Sequence, residues 1–296
     1  MITLMTDFGT DSPYIAAMKA AIDERLPQAA IIDLTHAIPP QDIRQGAFVW
    51  CEYTKTFPNG TVNVGVVDPG VGSNRRIVAA RCGGQYFVCP DNGLLTLVLQ
   101  DNPADEVVEI SNQAYRRPKI SSTFHGRDIM APLAAAIAGN VPFAEVGTPL
   151  DNQSPPVLLP FTQPHFGETE WQLEVLYIDH FGNLLLNATA DMLPHEQMAK
   201  LAHHPEVGIN INGQTTKAIF VSHYSGLAPD NLVLLENSGG RLEVAVVNGN
   251  ASERLSAKPG DRLTVRFTVV GGCFARPPWL PCAFGSIGYE GRKSEE

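Results

Sequence analysis

Residues 62–76 read VNVGVVDPGVGSNRR. The valine-rich, alternating first half is strand-like, and it stops abruptly at Asp68, Pro69, Gly70 and Gly72. This places Asp68 at the carboxyl end of a strand. Pro69 fixes one backbone angle and the glycines permit positive φ. The loop can therefore turn tightly and bring backbone N–H groups close to a ligand, with Arg75 and Arg76 following within reach. The same residues also describe an ordinary strand-to-turn connection with a solvated arginine pair. The surrounding chain decides between the two.

Moving outward from this stretch, strands alternate with amphipathic helices. ITLMT (2–6) reads as a first strand that runs into Asp7, Phe8, Gly9, Thr10 and Asp11. PYIAAMKAAIDERL then starts with proline and sets Ile15, Met18, Ala21, Ile22 and Leu26 at helical spacing. AAIIDL (29–34) predicts a second strand, and QDIRQGAFVWCEYTKTF a second helix with Ile43, Ala47, Phe48 and Cys51 on its buried side. Beyond Arg76, further strands are expected at 76–81, 86–89 and 107–110, with a helix LLTLVLQ and another, IMAPLAAAIAG, after Arg127. This alternation predicts an α/β domain over 1–150: a mainly parallel sheet with helices on both faces. Ligands of such sheets lie beyond the strands' carboxyl ends, where Asp7 and Asp68 both fall. A carboxylate there can accept two hydrogen bonds from paired sugar hydroxyls, or simply cap a helix.

At 151–168 the composition shifts to a proline-rich linker, with Pro155, Pro156, Pro160 and Pro164 interrupting any regular element. Over 169–270 the pattern is of short strands, which predicts a smaller carboxyl-terminal antiparallel β-sandwich or barrel, with Asn212-Gly213 as a tight hairpin turn. The stretch 271–296, rich in Pro and Gly and without periodicity, reads as a poorly ordered tail.

Composition narrows the function. The 296 residues carry 31 acids against 21 bases, a net charge of -10. That balance repels a phosphate backbone and leaves no basic stripe, so the expected partner is a neutral or cationic small molecule, not nucleic acid. No apolar run reaches the roughly 20 residues of a membrane span, and the chain enters a strand at once without a charged leader, so a cytoplasmic location is expected. Five cysteines, an odd number without C-x-x-C spacing, disfavour a disulfide framework or a zinc site. They read as reduced and structural, with a Cys273–Cys282 bridge left open.

Neither a dinucleotide or phosphate-loop fingerprint, nor H-E-x-x-H, nor G-x-S-x-G occurs, so the chemistry must come from a constellation. The candidate set is Asp68, Arg75 and His125. His125, in STFHGRD just before a helix, would stand at a helix amino terminus, whose dipole favours the neutral imidazole. It could equally serve there, with Thr123, as a cap. A metal held by Asp68 and His125 would have only two ligands and no supporting spacing, so no metal is expected.

The segments MTDFG, DLTHAIPPQDIRQGAF, VVDPGVG followed by Arg75, PDNGLL, STFHGRD, IDHFGN and NGNAS occur in this order. Together they resemble the S-adenosylmethionine hydrolase (adenosine-forming) family, also called S-adenosylmethionine hydroxide adenosyltransferases, homologous to fluorinating and chlorinating enzymes. The resemblance implies an α/β domain followed by a β-barrel, assembled as a homotrimer with the small-molecule substrate bound between subunits. It implies that water displaces methionine from ribose C5′, with no cofactor. It assigns the ribose hydroxyls to Asp7 and water activation to Asp68, Arg75 and His125. Phe8 belongs to the same first substrate-binding loop, and Phe181, Asn183, Asn250 and Ala251 fall at contacts to the adenosyl part. The loop's usual D-F-G-x-x-D-x-Y is altered: Ser12 occupies the second acid's position and Asp11 stands one place earlier, so these two are the candidates at the methionine end.

The chemistry agrees. A sulfonium leaves as a neutral thioether and needs no acid; water, with a pKa of about 15.7, is the difficult partner. One arginine at about 4 Å in an effective dielectric near 20 supplies roughly 4 kcal/mol, about three pKa units, short of the roughly nine required. Asp68 or His125 must therefore remove a proton as the new bond forms. In halogenating relatives the positions of Asp68, Val71 and Gly126 resemble tyrosine, threonine and serine; here a carboxylate would repel an incoming halide. A non-catalytic adenosyl-binding sensor would use Asp7, Phe181 and Asn183 and would not need Asp68, Arg75 and His125 together.

Overall fold

The computed structural model describes residues 1–267. They form two compact units that divide between Thr162 and Gln163. The expected tail and a Cys273–Cys282 bridge lie outside the described residues.

Unit 1 holds a seven-stranded sheet in the order β2-β1-β3-β5-β4-β6-β7. Its strands are β1 (Ile2–Thr6), β2 (Ile31–Thr35), β3 (Val62–Val66), β4 (Ile77–Cys82), β5 (Gln85–Pro90), β6 (Ala104–Glu109) and β7 (Thr148–Pro149). β2, β1, β3 and β5 are parallel. β4, β6 and β7 extend the sheet antiparallel, because the chain returns from β4 to β5 through Gly83 and Gly84, both at positive φ.

Alternation along β3 covers both faces. Val62, Val64 and Val66 join the core built with Met18 and Ile22 of α1 (Pro13–Arg25) and Leu133 and Ile137 of α4 (Ala131–Ala138). Asn63 and Gly65 point the other way. There a Cβ on Gly65 would lie 3.1 Å from the ring of Trp50 in α2 (Ile43–Thr54), which packs beside α3 (Thr96–Asp101). α2 buries more than the expected stripe, Trp50 and Val49 included.

The proline-rich residues after Ser154 lie along unit 1. The N–H groups of Val157 and Leu159 donate to Asp91 and Thr96, and Arg76 and Arg44 donate to main-chain carbonyls of Pro155 and Pro160. Proline-rich backbone that cannot join a ladder is satisfied here by side chains. Cys51, Cys82 and Cys89 are buried and form no disulfide among the described residues, as expected of structural cysteines.

Unit 2 is a closed barrel. β9 (Glu170–Ile178), β10 (Leu184–Thr189), β11 (Glu206–Ile211), β12 (Gln214–Phe220), β13 (Leu232–Glu236), β14 (Arg241–Val246) and β15 (Arg262–Phe267) pair in the order β10-β14-β13-β12-β11-β15-β9. Pairing of β9 with β10 closes the ring, and β8 (His165–Phe166) adds to β9. Closure removes the exposed edges, which settles the sandwich-or-barrel alternative. Asn212 and Gly213 both have positive φ and make the expected hairpin between β11 and β12. β12 and β13 are parallel, the exception in the barrel, because the long 221–231 connection replaces a hairpin. α5 (His195–His203) and α6 (Ala251–Leu255) fill the remaining connections.

Candidate functional site

β1 and β3 are parallel neighbours in register, with Thr6 opposite Val66, so their carboxyl ends deliver Asp7 and Asp68 to the same edge of the sheet. The loop after β3 is braced by its own side chains. Ser73 Oγ donates to Gly70 O at 2.7 Å and accepts from Arg75 N–H at 3.2 Å. Gly72 is required twice over: its φ is 80°, and a Cβ there would stand 2.3 Å from the carbonyl oxygen of Ser122. That close approach joins the loop to the STFHGRD segment, and Gly126 lets the following wide π-helical turn (Gly126–Met130) sit against Val66.

The result is a compact cluster. Arg75 Nε donates to Asp68 Oδ1 at 2.7 Å and Nη2 donates to Oδ2, a bidentate pair whose side chains are 10% and 5% exposed. The same Nη2 reaches Nδ1 of His125 at 3.0 Å. His125 directly precedes the helical turn, as expected. Its pKa is lowered first by burial and then by the charge of Arg75, against the opposing pull of Asp68 and Asp128. Asp128, fully buried, anchors the segment from below. It accepts from Arg127 and from the N–H of Ser121, which together outweigh its burial and lower its pKa.

Of these residues Asp68, Ser121, His125 and Arg127 line a cavity of about 360 Å³ that also includes Asp7, Phe8, Tyr14 and Phe124. Asp7 Oδ2 accepts the N–H of Gln41 at 2.8 Å. Phe8, Tyr14 and Phe124 meet edge to face, with centroids 5.1–5.8 Å apart. Tyr14 and Phe124 escaped the sequence reading, although both sit inside quoted motifs; an aromatic beside a helix start looks like core until a partner from elsewhere in the chain appears. Asp11 is exposed and does not line the cavity, and Ser12 caps α1 by accepting from Tyr14 N–H.

The other expected residues lie in unit 2. Asp179 accepts the N–H groups of Phe181 and Asn183, each at 2.9 Å, and fixes that turn. Gly182, φ 84°, leaves room for Asn250, whose Oδ1 caps α6. Phe181, Asn183 and Asn250 line an open groove of about 990 Å³ with Asp179, Tyr224 and Glu243, and Phe181 is 72% exposed. Ala251 is buried in the barrel core. Among the described residues no cluster of three or more His, Cys, Asp or Glu could hold a metal. Asp68 and His125 face the guanidinium of Arg75, whose fixed charge opposes a cation.

The family models for the N-terminal and C-terminal domains of SAM hydroxide adenosyltransferases match residues 2–147 and 173–264. A protein of Salinispora arenicola named (R)-S-adenosyl-L-methionine hydrolase is 36% identical over 271 residues, covering 89% of this chain and 97% of its own. A fluorinase of Actinoplanes is 28% identical over 214 residues, covering 63% of this chain and 71% of its own. A crystal structure of an uncharacterized conserved protein from Thermotoga maritima superposes with a TM-score of 0.85 at 33% identity, covering 90% of this chain and all of that one.

Proposed function

The chain belongs to the SAM hydroxide adenosyltransferase family, and on that footing we propose that it hydrolyses S-adenosylmethionine to adenosine and L-methionine. The observation that carries this reading is that Asp68 and His125, both bonded to Arg75, stand on the wall of the cavity that also holds Asp7.

Guanidinium N–H groups donate and never accept, so the contact from Arg75 requires a lone pair on His125 Nδ1. The ring proton of the neutral imidazole is then on Nε2, which makes that nitrogen a donor. This supports Asp68 as the group that takes the proton, through the lone pairs that its bond to Arg75 leaves free, while His125 orients the water oxygen. In the step, a water lone pair forms the bond to C5′. The C5′–S pair returns to sulfur, cancelling the sulfonium charge, and a water proton passes to Asp68. Arg75 stabilises the developing hydroxide, and in-line positioning lowers most of the remaining barrier.

Asp7 holds the ribose hydroxyls, with Phe8 beside it. The exposed ring of Phe181 offers a face for the adenine, and Asn183, Asn250 and the main chain at Ala251 supply polar contacts to it. Asp11 and Ser12 remain the candidates at the methionine end. The chemistry as written calls for no cofactor or metal. We take the protein to be a cytoplasmic homotrimer in which a second copy completes the substrate site; no helix among the described residues is long and apolar enough to cross a membrane. The carboxylate of Asp68 on the cavity wall disfavours a halide nucleophile.

Incubation with S-adenosylmethionine in 18O-labelled water, with and without chloride, tests this. Expected are methionine and adenosine carrying label at the 5′-oxygen. Intact substrate retained on the protein would overturn the enzymatic reading, and a 5′-chloro product would overturn the choice of nucleophile.

A further inference from the structure

Behind the first loop of the cavity lies a second polar cluster. Thr6, at the end of β1, is 0% exposed, and its hydroxyl is 2.9 Å from Nδ1 of His36. His36, 6% exposed, places Nε2 3.1 Å from Asp33 Oδ1, off the line of a well-aligned hydrogen bond. Asp33 receives Nζ of Lys19 at 2.6 Å. Partial burial pushes the Asp33 pKa up, but Lys19 and His36 more than offset this and leave it lowered, so the carboxylate is ionised at neutral pH.

An anionic oxygen facing Nε2 selects the tautomer with its proton there, since a ring lone pair would be repelled. Nδ1 is then the acceptor and Thr6 the donor. The Thr6 oxygen in turn accepts the N–H of Phe8 at 3.2 Å. The donors run in one direction: Phe8 to Thr6, Thr6 to His36, His36 toward Asp33.

Acid, histidine and hydroxyl in series can activate a nucleophile, but the burial of Thr6 closes its oxygen to any substrate. What the relay touches is the loop carrying Asp7. The Phe8-to-Thr6 bond spans Asp7. The N–H of Gly9 donates to the main-chain oxygen of His36 at 2.8 Å, and the same connection turns through Gln41, φ 64°, to aim its N–H at Asp7.

We propose that His36 is a positioning residue for the diol grip: through Thr6 it sets the main chain on either side of Asp7, and so the direction in which that carboxylate meets the paired hydroxyls of a ribose. The inference rests on Asp7 being the ribose-binding acid.

Calorimetry with adenosine tests it in the wild type, Asp7→Ala, His36→Leu, His36→Asn and the Asp7→Ala/His36→Leu double variant. Asparagine keeps an acceptor near the place of Nδ1. His36→Leu should weaken adenosine by about tenfold and raise KM with kcat nearly unchanged, while His36→Asn stays within about threefold. In the Asp7→Ala background His36→Leu should have no further effect, because it acts through the acid already removed. Should His36→Leu not fold, Thr6→Val breaks the same link and carries the same expectation. Unchanged affinity in His36→Leu, or an equal loss with and without Asp7, would overturn the proposal. If Asp7→Ala alone leaves adenosine binding intact, the ribose-grip reading fails first, and this inference with it.

Discussion

Unit 1 carries two histidines with hydrogen-bonded Nδ1 atoms and a carboxylate nearby, His125 on the cavity wall and His36 behind the β1–α1 loop. At His125 the partner on Nδ1 is a guanidinium, which keeps the ring neutral and leaves Nε2 free to meet a ligand. At His36 the partner on Nδ1 is a buried hydroxyl and the carboxylate lies beside Nε2 on the far side, so both nitrogens face groups of the protein itself. Similar residue types therefore make, on the reading proposed above, a reacting cluster in one place and a brace in the other. Access to the cavity and the sign of the neighbouring charge separate them, and neither is visible in a residue's identity.

The largest effect that could break this comparison is on turnover. Asp68→Asn and His125→Ala should each lower kcat by about 10²–10⁴-fold with substrate affinity largely kept, as read by steady-state kinetics alongside calorimetry. Asp68→Asn should also melt earlier, since it leaves the buried Arg75 charge unpaired. A kcat within a few-fold of wild type in both variants would place the two histidine clusters in the same, merely structural class.

A smaller effect concerns the loop. Gly72→Ala should destabilise the protein by about 1–3 kcal/mol in chemical denaturation, from the strained φ and the clash with Ser122 O. It should lower activity by separating Arg75 from His125.

The smallest effect sharpens the electrostatic contrast. In an NMR titration His125 should lose its proton below the ordinary 6.5. A step that needs the neutral ring therefore keeps its activity to lower pH than an ordinary histidine would allow, and fades as pH falls through that lowered value. Arg75→Ala removes a lowering charge and unscreens Asp68, so the His125 pKa should move up and the acid limb of the activity profile should shift with it.

Much of this was legible in the chain. Strand-loop-helix alternation identifies the α/β unit because apolar periodicity reports directly on which face is buried. Asp7 and Asp68 could be placed at strand carboxyl ends because Asp-Phe-Gly and Asp-Pro-Gly cannot continue a strand. The antiparallel half of the first sheet and the parallel β12–β13 pair were not legible, since strand direction depends on how connections pack and not on composition. Tyr14 and Phe124 joined the site only when loops separated by more than a hundred residues came together.

The sequence by itself determined the periodicities, the strand-ending acids, the glycine that only a left-handed turn needs, and the ordered motifs that mark the family. These are local, and each follows from one short stretch of backbone chemistry. Tertiary structure decided which nitrogen of His125 carries the proton, why Thr6 is not a nucleophile, and which acid each histidine faces. Hydrogen-bond direction and burial belong to pairs of residues far apart in the chain, and their partners exist only once the sheet has brought its strand ends together.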